Sequence, residues 1–231
     1  MSISVVGDGL LLSQKGDLAS NDGTSTSVVN VGSDGQILVA SSTNPSGLVW
    51  TTPTTSSTDG YVAIAYASTT ANTRTIEFSS ITGSYAHLEL HVSARCVGGV
   101  AQYIEIRFNS DTASNYMNQN IYGVLGSPTV GGSRTYSSTY LSAARATGGS
   151  AEANSFGAGV IRIYQYSSTS VYKPVNGISG YNDNANGNIW QFSSQWKSTS
   201  AITSITIGAD GFSTEDFVAG STFSLYGLRS Y

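Results

Sequence analysis

Residues 85–109, YAHLELHVSARCVGGVAQYIEIRFN, carry the clearest structural signal in the chain. Ala86, Leu88, Leu90, Val92, Ala94 and Cys96 alternate with Tyr85, His87, Glu89, His91, Ser93 and Arg95. Successive side chains of a strand point to opposite faces, so strict alternation over this length reads as a half-buried β-strand. After Gly98-Gly99 the period resumes, with Gln102, Ile104, Ile106 and Phe108 on one face and Ala101, Tyr103, Glu105, Arg107 and Asn109 on the other. Two such runs around a Gly-Gly step predict a β-hairpin, with Glu89, Arg95, Glu105 and Arg107 sharing its outer face as cross-strand charge pairs.

Strand patterns continue on both sides of this segment, at 61–67, 74–80, 135–144, 157–166, 175–181, 189–197, 202–209 and 222–229. Gly, Asn and Ser mark loops at 126–133, 147–155 and 181–188. No helical periodicity exceeds about three turns, and a single turn is expected at most at Tyr116–Asn120 or Thr214–Val218. Many short strands at regular spacing predict an all-β body over 60–231, an antiparallel β-sandwich of jelly-roll-like type. Residues 52–59, TPTTSSTD, read as a hydroxyl-rich linker.

Composition fits that class. Charged residues make up 10% of the 231, against roughly 25% in an average soluble domain. Lysine occurs only at Lys15, Lys173 and Lys197, while Gly (26) and Tyr (14) are abundant, so the surface is wetted by hydroxyls and amides. The net charge is −4 and the arginines are dispersed, which argues against neutralising a phosphate backbone and hence against a nucleic-acid partner. The single cysteine, Cys96, excludes an intrachain disulfide and falls on the apolar face of its strand as a small core residue. Signal-peptide patterning is not expected, and no apolar run approaches the ~20 residues of a membrane span, so membrane insertion is not expected either.

Residues 1–51 are different in kind. Short apolar pieces (Ile3–Val6, Leu10–Leu12, Ser27–Val31, Ile37–Ala40, Leu48–Trp50) are divided by turn pairs such as Asp22-Gly23 and Asp34-Gly35. None is large enough to bury a core alone, which predicts an extended arm ordered by neighbouring subunits or a larger particle. Within it, KGDLASNDGTSTSVVNVGSDGQILVASSTNPSGLVWT (residues 15–51) resembles a module of bacteriophage tail-fibre and virion structural proteins, with KGDL, VGSDGQILVA and GLVW in matching order. The C-terminal GSTFSLYGL (220–228) resembles the closing strand of phage virion β-sandwich domains, with Phe223 and Leu225 facing inward. Arg229 and Tyr231 run past the usual end of that strand and are expected to meet a partner.

That resemblance implies a non-enzymatic virion protein, made in the host cytoplasm and working on the particle. It implies a homotrimeric short fibre of tail or neck, or a capsid decoration protein. Attachment and oligomerisation would fall to Lys15, Gly16, Asp17, Leu18, Gly35, Gln36, Ile37, Leu38 and Trp50. The implied partners are further copies of the chain and other capsid, neck or tail proteins, with no cofactor. The second reading is a lectin-like domain recognising host surface glycans, for which Tyr181, Trp190 and Trp196 supply aromatic faces. Trp190 and Trp196 share parity with Phe192, however, and that pattern favours core packing.

Other chemistry finds little purchase. His87, Glu89 and His91 lie on one strand face, but the two imidazoles stand roughly 13 Å apart along it, too far to share one metal ion. A trimer axis could still bring copies together. Asn182, Asp183, Asn184, Asn186 and Asn188 form an oxygen-rich run with a single carboxylate, which reads as a turn rather than a calcium loop. There is no GxSxG elbow and no phosphate-loop lysine. Glu77, Glu89 and Glu105 are the acids available for glycoside hydrolysis, and each is more simply explained by pairing with Arg74, Arg95 or Arg107.

Overall fold

The computed structural model describes residues 12, 14–53, 60–99, 101–127, 130–183 and 186–229. Two compact units divide the chain, Met1–Thr58 and Asp59–Tyr231. The expected apolar pieces Ile3–Val6 and Leu10–Leu11, most of the 52–59 linker, Asn184 and Tyr231 lie outside the described residues.

The first unit, expected as an extended arm, contains locally paired strands. Its described part is two antiparallel β-hairpins, β1 (Leu18–Asn21) with β2 (Thr26–Val29) and β3 (Ile37–Ala40) with β4 (Leu48–Thr51). The turn chemistry is local. Asp22 Oδ1 accepts the N–H groups of Thr24 and Ser25 at 2.7 Å, and Gly23 adopts the positive φ of 98° that closes the β1–β2 loop. Such side-chain caps and cross-strand backbone bonds shape these residues locally, a pairing that apolar content alone did not reveal.

The second unit is a two-layer β-sandwich. Its long sheet has the order β10-β9-β14-β13-β12-β7-β16-β5 and its short sheet β11-β8-β15-β6. The strands are β5 (Tyr61–Ser68), β6 (Ile76–Phe78), β7 (His87–Ala94), β8 (Ala101–Phe108), β9 (Tyr116–Val124), β10 (Val130–Ser138), β11 (Leu141–Thr147), β12 (Gly157–Tyr164), β13 (Lys173–Asn182), β14 (Gly187–Trp196), β15 (Ile205–Ala209) and β16 (Thr222–Leu228). Setting β9–β10 and β13–β14 aside leaves β12-β7-β16-β5 over β11-β8-β15-β6. In that arrangement β5–β6 runs beside β16–β15, and β7–β8 beside β12–β11, which is the rolled double hairpin of a jelly roll. The two remaining hairpins are insertions that extend the long sheet beyond β12.

This topology overturns the predicted hairpin at 85–109. β7 and β8 lie in opposite sheets, and Gly98-Gly99 carries the chain between the layers. The alternation was read correctly, since Leu88, Leu90, Ala94, Ile104, Ile106 and Phe108 are all fully buried. Alternation reports which face is buried, not which strand lies alongside. Glu89, Arg95, Glu105 and Arg107 therefore do not share a face. Arg95 instead donates to the carbonyls of Gly149, Ala151, Glu152 and Ser155, pinning the 147–155 loop. Arg74 pairs with Asp216 rather than Glu77.

Further corrections are local. The strand expected at 135–144 is two strands in different sheets, β10 and β11, broken at Thr139-Tyr140. Tyr116–Asn120 belongs to strand β9, and the helical turn falls at Asp210–Phe212, a 3-10 turn, rather than at Thr214–Val218. The expected 126–133 loop gives way to β10 at Val130, and the 181–188 loop shortens to the link between β13 and β14.

The core lies between the layers, where Phe108, Tyr116, Tyr166, Trp190, Phe217 and Phe223 are almost wholly buried. Each large apolar side chain so buried contributes about 1.5–3 kcal/mol. Phe223 and Leu225 of β16 point inward as expected, and β16 is held between β7 and β5. Arg229 closes that end through its N–H to the Gly60 carbonyl at 3.3 Å.

Candidate functional site

The outward face of the long sheet can be followed across the ladders. One row reads Tyr66, Ser224, His91, Val160, Ile178, Gln191, Ile121. The next reads Ser68, Thr222, Ser93, Ala158, Gly180, Ile189, Gly123, Val130. On the other side of the first row lie Tyr226, Glu89, Arg162, Asn176 and Ser193. The face is thus graded. It is polar and aromatic over β5, β16 and β7, and apolar over β12, β13, β14 and β9. Ile178 is 57% and Ile189 69% exposed, with Ile121 and Val130 comparably open. Shallow depressions run along it, and Val160 and Ile178 line both.

At the polar end the register sets Glu89 directly opposite Arg162. The Arg162 Nε donates to Glu89 Oε2 at 2.5 Å, Tyr61 donates to the same oxygen at 3.2 Å, and His91 Nε2 lies 2.7 Å from Oε1. The carboxylate is almost wholly covered by these partners. Burial opposes its ionisation, but the hydrogen bonds and charges of Arg162 and His91 outweigh it and hold the carboxyl below its ordinary range. His91 stacks at a tilt on Tyr226 with ring centroids 5.0 Å apart.

The metal reading of His87, Glu89 and His91 meets a different arrangement. Glu89 is engaged by Arg162, and His87 Nδ1 accepts the Gln165 N–H at 3.2 Å while its ring rests on Tyr164. Among the described residues no group of three His, Cys, Asp or Glu side chains gathers. The acids considered for hydrolysis are also apart: Glu105 lies in the short sheet, beneath the 210–212 turn, where it accepts the Gly211 N–H. Asp183 closes its own turn, accepting the Asn186 N–H at 2.7 Å.

The glycan candidates are redistributed. Trp190 and Trp196 are only 1% and 2% exposed, so their faces cannot stack on a sugar. Trp196 stacks on Tyr116 and donates Nε1–H to Asp111 at 2.7 Å, and Trp190 stacks on Phe192. Tyr181 alone of the three stays partly open.

The N-terminal candidates separate into builders and presented groups. Asp17, nearly buried, accepts the Gln14 N–H at 2.9 Å and the Val31 N–H at 3.1 Å. Gly16 turns the chain there with φ of 95°. Gly35 (φ 84°) and Gln36, whose Oε1 accepts the Ser33 N–H at 2.8 Å, shape the next turn. Trp50 donates Nε1–H to the Asn30 carbonyl at 2.8 Å, and a Cβ on Gly32 would come within 2.7 Å of its ring. Lys15, Leu18 and Ile37 are exposed, as are Val31 and Val49, and Leu38 is half-buried.

The apolar outer face was missed in the sequence, although a signal existed. Val160-Ile161 and Ile189-Trp190 place large apolar residues at adjacent positions, so both faces of those strands carry them. No protein-family model, curated protein or solved structure matches the chain.

Proposed function

We propose that this chain is a non-enzymatic structural component of a bacteriophage virion, a homotrimeric short fibre of tail or neck or a capsid decoration protein, attached through its N-terminal unit. The observation that carries this reading is the pairing of two dissimilar parts. A small hairpin unit, bearing the phage-like 15–51 sequence, presents Leu18, Val31, Ile37 and Val49 outward. The jelly-roll body bears an open apolar sheet face with few charges to desolvate, and Glu89 and Arg162 there neutralise each other. Exposed apolar rows of this kind mark association surfaces, and jelly rolls recur in capsid and lectin domains, an analogy of fold alone.

Self-association is tested by sedimentation of the full chain. The expected mass is three times the 24.0 kDa of one chain, and Ile178→Asp with Ile189→Asp should give a folded monomer. A wild-type monomer at micromolar concentration, or a double variant that stays trimeric, would remove the outer face from the interface.

A further inference from the structure

We infer that the two end strands of the long sheet are each other's partners between copies: β5 of one chain adds beside β10 of the next, joining three sheets into one closed ring. This rests on the homotrimer reading and names the contact that closes it. An edge strand presents unpaired N–H and C=O groups, and proteins blunt such edges with short strands, charges, proline or a covering layer. The edges of this sandwich differ in that respect. β6, three residues long, offers little to a partner. β11 is covered by β12, β13 and β14, and its Leu141, Ala143, Ala144 and Ala146 are fully buried. β5 is eight residues long, YVAIAYAS, with no charge, no proline and no glycine. It pairs with β16 alone, with Ile64 left out of the register, and no described strand runs along its other side. β10 is exposed along nearly all its length and carries a single charge, Arg134. It pairs with β9 alone, and Lys197 donates to the Tyr136 carbonyl at 3.3 Å, so its open run is 130–135.

The topology says how the two ends fit. All neighbours in this eight-stranded sheet are antiparallel, so its end strands run in opposite senses. A sheet continued from one copy's β5 into the next copy's β10 therefore keeps the antiparallel alternation. The two bare ends of one sheet supply each other's partner, and backbone bonds along an added strand supply the affinity. Contact between unlike edges is heterologous and can close at three, whereas β5 against its own copy would be isologous and stop at two. Arg134 is the only charge on either strand, so no like charges face each other across the junction. An added strand would also cover apolar groups left half-open beside β5: Val62 and Ile64 are partly buried, and Ile64 packs on the core. With the outer faces turned toward the axis, the middle strands β12 and β13 come nearest to it, and they bear Val160 and Ile178.

The test is thiol cross-linking of the full-length chain with a short bismaleimide, beside sedimentation. The single native cysteine, Cys96, is buried, so introduced thiols report alone. Ala63→Cys with Arg134→Cys, and Tyr66→Cys with Val130→Cys, each place one thiol on the outer face of both end strands. Either pair should give a covalent trimer as the main product. Chains with one of these cysteines should give at least tenfold less linked product when alone, while Ala63→Cys and Arg134→Cys chains made together should give a linked dimer. Folded paired variants that no longer form the wild type's trimer would also place the contact at these edges. Trimers that fail to link with either pair would overturn the edge contact and leave the homotrimer standing. Linking by Ala63→Cys or Tyr66→Cys chains alone would assign β5 to its own copy and overturn it as well. A wild-type chain that sediments as a monomer would instead remove the homotrimer, and this contact with it.

Discussion

Two glutamates show how position sets chemistry in this sandwich. Glu89 and Glu105 are both almost fully buried, yet their acidities move in opposite directions. Glu89 is met by Arg162 and His91 and stays ionised to lower pH. Glu105 is pushed up to about 7, chiefly by burial and further by Asp210, against the Gly211 N–H and Arg107. Its folded acidity is thus weaker than the ordinary value of 4.5, so between pH 4.5 and about 7 the folded chain keeps a proton that the unfolded chain has released. Stability from this group is full below 4.5 and falls as pH rises to about 7, by on the order of 3 kcal/mol. Glu105→Gln keeps an acceptor for the Gly211 N–H and removes the charge. Denaturant midpoints should therefore show the variant gaining on the wild type as pH goes from 5 to 8. A constant difference across that range would show that Glu105 titrates as an ordinary carboxyl. The sequence marked Glu105 as a strand acid beside Arg107 but not its depth. The turn that covers it, with positive φ at Asp210, Gly211 and Phe212, is held by contacts distant in sequence.

At the scale of elements, periodicity made β5, β7, β8, β12, β14 and β16 legible because at least one face of each is apolar. Their partners were not, because alternation is the same whether the next strand lies alongside or in the opposite layer. β9 was hidden for a related reason: YMNQNIYGV buries Tyr116 and Asn118, and Asn118 serves the Ser142 N–H and Tyr140 carbonyl of the neighbouring layer rather than an apolar core. The N-terminal hairpins were hidden because their order rests on polar caps. Asp17, just before β1, adds to the β1–β2 ladder a bond to the Val31 N–H just after β2. Asp17→Ala leaves the Gln14 and Val31 N–H groups without their acceptor, which should cost the unit about 1–3 kcal/mol. The Trp50 indole N–H, bonded to Asn30, reports it by proton exchange. Faster exchange at Trp50, with the body signals unchanged, is expected. Unaltered exchange would mean that the hairpins are held by something other than this cap.

At the scale of the molecule, the proposed function divides the work between a hairpin unit and a jelly-roll body. Several of the unit's motif residues build its turns, so on the proposed reading its recognising groups are the exposed Leu18, Val31, Ile37 and Val49. The body carries the apolar rows proposed for self-association. A chain with Leu18→Asp and Ile37→Asp should keep its fold and oligomeric state yet lose at least tenfold in incorporation into particles, read by quantitative mass spectrometry of purified virions. Unchanged incorporation would place attachment elsewhere. The most direct measurement is electron microscopy of purified phage particles labelled with antibody raised against residues 60–231. Regular labelling at one structural position on the virion, capsid, neck or tail, is the expected result. Particles that carry no label while the chain is abundant in the same lysate would contradict a virion role.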